Sequence, residues 1–217
     1  MVNLRDYQKK AVVAFRENEH QGIFDMATGT GKTYTSIACA QDHYHRNGRQ
    51  LLVILVPFIH LIAQWQENLL ENDILTDVVV AYGKDKWNSK LNRILWEYQH
   101  GYRDRVVIIG SYRSTGGKNS QFSQILEKVN HQDSFLLADE CHYLGSRNSN
   151  TQIFNTFSAS VWSTMTTIPT PILNVPNISF SAIPPRFANS CITVGTFIFA
   201  FSIYAFFYYI TDFLINS

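Results

Sequence analysis

Apolar positions along the chain switch repeatedly between two periods. Leu4, Tyr7, Ala11, Val12 and Phe15 recur at helical spacing and predict an amphipathic helix over residues 4–15. Gly22 to Met26 is a short apolar run that predicts a strand, and Tyr34 to Ala40 is compatible with a helix. Asn47-Gly48-Arg49-Gln50 signals a turn. The unbroken apolar run Leu51 to Val56 then predicts a strand covered on both faces of a parallel sheet. Pro57 ends it, and Phe58 to Leu70 returns to a helical pattern with Leu61, Trp65 and Leu69 on one face. Asp77–Tyr82, Arg105–Gly110 and Ser134–Ala138 predict three further strands. Ser120–Val129 predicts a helix with Phe122, Ile125, Leu126 and Val129 inward. Strands alternating with helices predict an α/β fold over residues 1–150, a mostly parallel sheet with helices on both faces.

Composition changes this picture in one place. Over 217 residues the net charge is +1, so no global field points to nucleic acid. Cys39, Cys141 and Cys191 are odd in number and lack metal-ligand spacing, which fits a reducing compartment. No apolar run follows a basic start at Met1, and a cytoplasmic location is expected. Residues 151–217, however, hold only Arg186 and Asp212 among the charged residues and every proline except Pro57. The two parts do not read as one kind of protein.

Two stretches carry candidate chemistry. Met26-Ala27-Thr28-Gly29-Thr30-Gly31-Lys32-Thr33 joins a strand to a helix N-terminus, the geometry that wraps a phosphate chain. Gly29 and Gly31 let backbone N–H groups approach anionic oxygens. Lys32 is placed to serve the β- and γ-phosphates of ATP, and the Thr33 hydroxyl to ligate Mg²⁺. The general phosphate-loop pattern has Gly where this chain has Met26. The second stretch is Ser134-Phe135-Leu136-Leu137-Ala138-Asp139-Glu140-Cys141-His142, an apolar strand ending in two carboxylates at the sheet's ligand-binding edge. Asp139 is expected to hold Mg²⁺, and Glu140 to orient or deprotonate the attacking water. Alone, Asp-Glu after a strand reads as a helix N-cap; together with the phosphate loop it reads as a nucleotide site. Near the N-terminus, the Gln8 amide suits the edge of adenine, and Tyr7 or Arg5 suits its face. The basic stretch Lys84, Lys86, Lys90, Arg93, interleaved with Trp87 and Trp96, reads as a solvated helix face, with contact to a nucleic-acid backbone as the alternative.

With these residues in view, positions 4–146 resemble the first RecA-like domain of superfamily 2 helicases, in the DEAD/DEAH-box-related group that includes helicase subunits of type I and type III restriction enzymes. Leu4-Arg5-Asp6-Tyr7-Gln8 resembles the adenine-reading Q-like motif, and Ala27-Thr28-Gly29-Thr30-Gly31-Lys32-Thr33 matches motif I, where Met26 is unremarkable. Val56-Pro57 with Leu61, Gln64 and Trp65 is similar to motif Ia, and Ile109-Gly110-Ser111-Tyr112 to a further strand-contacting motif. Asp139-Glu140-Cys141-His142 matches motif II. The resemblance implies ATP and Mg²⁺ as cofactors and adenine contact by Arg5 and Gln8. It implies DNA contact through Pro57, Gln64, Trp65 and Ser111, with His142 coupling the nucleotide site to the motor. Other subunits of a restriction or helicase complex are implied partners.

After residue 146 the resemblance is expected to stop. Ser158-Ala159-Ser160 superficially suggests motif III, but no Thr-Pro follows and no buried strand precedes it, so it is set aside. Residues 151–191 read as a Pro/Ser/Thr-rich linker or an out-of-frame segment. The uncharged run 192–210 reads as an unstructured apolar tail or a transmembrane helix. Two explanations compete for this tail, a shifted reading frame and a membrane anchor. In either case, ATP binding without a second RecA-like domain implies very slow hydrolysis.

Overall fold

A computed structural model of the chain describes residues 3–26, 29–81, 87–115, 120–130, 132–140 and 159–165. The first half runs α1 (Asp6–Glu17), β1 (Gln21–Met26), α2 (Lys32–Asn47), β2 (Gln50–Val56), α3 (Leu61–Leu70) and β3 (Val78–Val80). The second half runs α4 (Trp87–Gln99), β4 (Arg105–Ser111), α5 (Tyr112–Thr115), α6 (Gln121–Leu126), β5 (Ser134–Ala138) and β6 (Ala159–Met165). The six strands form one sheet in the order β1-β6-β5-β2-β4-β3, and every pairing is parallel.

β2 lies at the middle of the sheet, between β4 and β5, and all seven of its residues are buried. Its side chains alternate between two cores, as the period of a strand requires. Leu51, Val53 and Leu55 pack with Leu91, Ile94, Leu95 and Tyr98 of α4 and with Phe122 and Leu126 of α6. Leu52, Ile54 and Val56 pack with residues of α1, α2 and α3, among them Phe15, Ile37, Trp65 and Leu69. An unbroken apolar run therefore satisfies two layers of helices at once, each fully buried aliphatic side chain contributing roughly 1.5–3 kcal/mol. Lys90, Arg93 and Trp96 are exposed on α4, the solvated face expected of that stretch.

The tail departs from its sequence reading. Residues 159–165 fall in the segment read as a linker or out-of-frame piece, yet they form β6 inside the sheet. Gln21↔Ser160 to Met26↔Met165 pair β6 with β1, and Phe135↔Ala159 to Ala138↔Trp162 pair it with β5. β6 thus lies beyond the boundary drawn at residue 150, and among the described strands it is the neighbour of β1 in the sheet. Of Ser158-Ala159-Ser160, set aside above as motif III, Ala159 and Ser160 lie at the start of β6, opposite Phe135 and Gln21, and Ser158 lies outside the described residues. The run 192–210 lies outside the described residues. Among those described, no helix is long and apolar enough to cross a membrane.

At the N-terminal end of the strands, opposite the phosphate loop, His43 on α2 is 3% exposed, with its ring edge-on to His20 and to Phe135. Its ring nitrogens lie 3.0 Å from Asn47 Nδ2 and 3.3 Å from Gln50 Nε2. Burial, and then the neighbouring His20, push its pKa from 6.5 down to about 4. Between those values the unfolded chain binds a proton that the folded chain refuses, so stability falls as pH drops through this window. The expected loss is on the order of 2 kcal/mol by pH 4. Urea melts at pH 7 and 4.5 should show it, and His43→Gln should reduce the acid sensitivity; an unchanged sensitivity in the variant would refute the assignment.

Candidate nucleotide site

The phosphate loop is shaped from outside by α1. The Tyr7 hydroxyl donates to the Thr30 carbonyl, and Gln8 Nε2 donates to the carbonyls of Gly31 at 3.1 Å and Thr30 at 3.5 Å. Because the peptide unit is planar and trans, drawing these carbonyls toward α1 turns the following N–H groups the opposite way. Gly29 and Gly31 sit at φ +78° and +84°, in the left-handed region. A Cβ on Gly31 would stand 2.5 Å from Gln8 Nε2, so glycine is required there on two grounds. The outcome is a concave turn presenting N–H groups at the start of α2, suited to an anion.

Gln8 is fully engaged in this arrangement. Its Oε1 accepts from the Arg5 backbone N–H at 2.8 Å, and it is 5% exposed. It holds the phosphate loop to α1, a role the reading as an adenine contact did not contain. Arg5 is exposed, with Nη1 3.5 Å from the Tyr7 hydroxyl. Ala27, Thr28 and His142 lie outside the described residues.

The loop and the carboxylates meet across β6. One intervening strand separates β1 from β5, a lateral gap of roughly 10 Å at ordinary strand spacing. Lys32, the first residue of α2, bridges it: Nζ lies 3.2 Å from Glu140 Oε1, with the two side chains only 12% and 14% exposed. Glu140 has φ +50° and Asp139-Glu140 form a turn directly after β5. Thr33 is half-buried on the first turn of α2. Cys39, deeper in α2, is fully buried, and burial pushes its thiol pKa well up.

Asp139 is held from three directions. Its backbone N–H donates to Leu55 O at 2.9 Å, its backbone carbonyl accepts the Tyr112 hydroxyl, and its Oδ2 accepts Trp65 Nε1–H at 3.0 Å. Two residues read as DNA contacts in the sequence are buried here. Trp65 is 3% exposed with its N–H given to Asp139, because it lies on the inward face of α3. Ser111 is 1% exposed, and its hydroxyl is 2.8 Å from that of Ser114. Neither side chain faces solvent. Of the other two, Gln64 is exposed and Pro57 half-buried, while Phe58 and Ile59, not singled out in the sequence, are 46% and 49% exposed beside them. An indole N–H inside an amphipathic helix needs a buried acceptor, and that was the available signal for Trp65.

The donor set fits a nucleotide with a hard divalent cation: N–H groups and a lysine on one strand's loop, a threonine hydroxyl, and two carboxylates on another. The family model described as "Type III restriction enzyme, res subunit" matches residues 1–171. The chain belongs to this family. Within it, the chain is a superfamily 2 helicase-type domain of the restriction-enzyme kind.

The type III restriction family domain is also 31% identical over 116 residues to a protein named "Putative DNA 3'-5' helicase Rad25" from Haloarcula marismortui, covering 53% of this chain and 15% of that protein. Its fold resembles that of the type ISP restriction-modification enzyme LlaGI in complex with a DNA substrate mimic. There the TM-score is 0.56 at 22% identity, over 82% of this chain and 19% of that one. The DNA-bound type ISP enzyme LlaBIII gives 0.55 at 21% over 75% and 13%, and the Pyrococcus furiosus Hef helicase domain 0.54 at 18% over 77% and 34%. The match through residue 171 includes β6, so the family pattern does not stop at residue 146. In every case the chain spans a small part of the relative's length.

Proposed function

We propose that the chain binds ATP·Mg²⁺ and a DNA strand as the nucleotide-binding half of a restriction-type helicase motor. The observation that carries this reading is the ion pair between Lys32 and Glu140, which brings the phosphate loop and the motif II carboxylates into one site. In this reading Lys32 exchanges Glu140 for phosphate oxygens when nucleotide arrives. Thr33 and Asp139 would hold the cation, which would screen the phosphate charge, and Glu140 would orient water. Arg5, on the rim beside Tyr7, is the remaining candidate for adenine. DNA contact falls to Pro57, with the exposed Phe58 and Ile59 after it at the C-terminal end of β2, and to Gln64 on the first turn of α3. Aromatic rings at such positions suit stacking against bases.

Binding is the appropriate test. ATP with Mg²⁺ at about 100 times its Kd should stabilise the fold by about 2.7 kcal/mol and raise the melting temperature accordingly. A melt indifferent to millimolar ATP·Mg²⁺ would sink the reading.

A further inference from the structure

Asp139 is joined to two aromatic side chains that come from segments outside the phosphate loop and outside β5. Trp65 lies on α3, and its Nε1–H reaches Asp139 Oδ2 at 3.0 Å; Tyr112 opens α5 immediately after β4, and its hydroxyl donates to the Asp139 carbonyl. Both side chains are buried, at 3% and 9% exposure, so each of these polar groups has its partner inside the protein. A carboxylate at the end of a strand otherwise turns freely about its Cα–Cβ and Cβ–Cγ bonds. A charge-assisted bond to one oxygen selects one orientation of the carboxylate plane, and a bond to the same residue's carbonyl fixes the backbone from which it rotates.

We propose that Trp65 and Tyr112 are positioning residues that orient the Asp139 carboxylate for a divalent cation. The proposal rests on the ATP·Mg²⁺ reading of this site. It assigns the metal-dependent part of nucleotide affinity to α3 and the β4–α5 junction, and leaves the metal-independent part with Lys32 and the loop. Trp65→Phe keeps an aromatic ring on the inner face of α3 and removes the indole N–H. Tyr112→Phe removes only the hydroxyl.

The test uses the full chain and a fluorescently labelled ATP analogue, titrated once in MgCl₂ and once in EDTA. Wild type is expected to bind more tightly in MgCl₂. Trp65→Phe should weaken binding in MgCl₂ by about 10-fold, and Tyr112→Phe by about 3-fold, while binding in EDTA stays within about 2-fold of wild type. A merely structural lesion would weaken both titrations together, and that result overturns the proposal, as does unchanged affinity in MgCl₂. Should Trp65→Phe fail to melt cooperatively, Tyr112→Phe decides alone by the same two titrations. Wild type that binds in neither buffer would instead overturn the nucleotide reading beneath it.

Discussion

Lys32→Ala is expected to weaken ATP binding by at least about 100-fold, equivalent to about 2.7 kcal/mol. Lys32 occupies the first position of α2, where the helix's positive end already favours an anion, and it adds a full charge within reach of two phosphates. Charge-assisted hydrogen bonds contribute about 1.5–3 kcal/mol each, so losing one or two accounts for the drop. An alternative cause is available: removing Lys32 strands Glu140, only 14% exposed, without its ion-pair partner. Glu140→Gln separates the two. It breaks the same 3.2 Å pair from the other side and removes the carboxylate that competes with phosphate for Lys32. Nucleotide binding in Glu140→Gln should therefore equal or exceed that of wild type, while hydrolysis falls further. Equal losses in the two variants would show that the pair shapes the loop and that Lys32 has no direct role with phosphate.

A chain ended after residue 150 is expected to lose cooperative melting and nucleotide binding, whereas one ended after residue 171 should keep both. The difference between them is β6. It pairs with β1 along Gln21–Met26 and with β5 along Phe135–Ala138, so its removal opens the sheet between the strand that leads into the phosphate loop and the strand that carries Asp139. Backbone groups of β1 and β5 that lose their partners cost about 1–3 kcal/mol each where they stay buried. Phe24 and Met26 would lose the sheet position that holds them in the core. A few such losses equal the whole stability of an ordinary domain. Circular dichroism melts of the two lengths give the answer, and equal, cooperative transitions would refute the account of β6.

Much of the fold was legible from residues 1–140 because its signals are local. Leu51–Val56 is apolar at every position since both faces of β2 are covered by helices. Gly29, Gly31 and Lys32 mark a turn whose backbone conformation and charge are written in the residues themselves. β6 escaped because Ala159-Ser160-Val161-Trp162-Ser163-Thr164-Met165 mixes small hydroxyl residues with apolar ones and resembles the Pro/Ser/Thr-rich stretch after it. The inward-facing side chain of Trp65 was hidden for a related reason. A motif's spacing says which residues lie near one sheet edge, but the rotation of α3 decides which of them face inward.

By itself, then, the sequence determined the order of the strands through β5, the covered central strand, the phosphate loop and the carboxylate pair. Each depends on period, turn chemistry or residue type within a few positions. Tertiary structure alone decided that β6 stands between β1 and β5. It also decided that Tyr7 and Gln8 hold the loop's carbonyls, and that Trp65 and Tyr112 hold Asp139. Lys32 and Glu140 are 108 residues apart in the chain and 3.2 Å apart in space. No local pattern encodes such a meeting; it follows from the packing of the whole sheet against its two layers of helices.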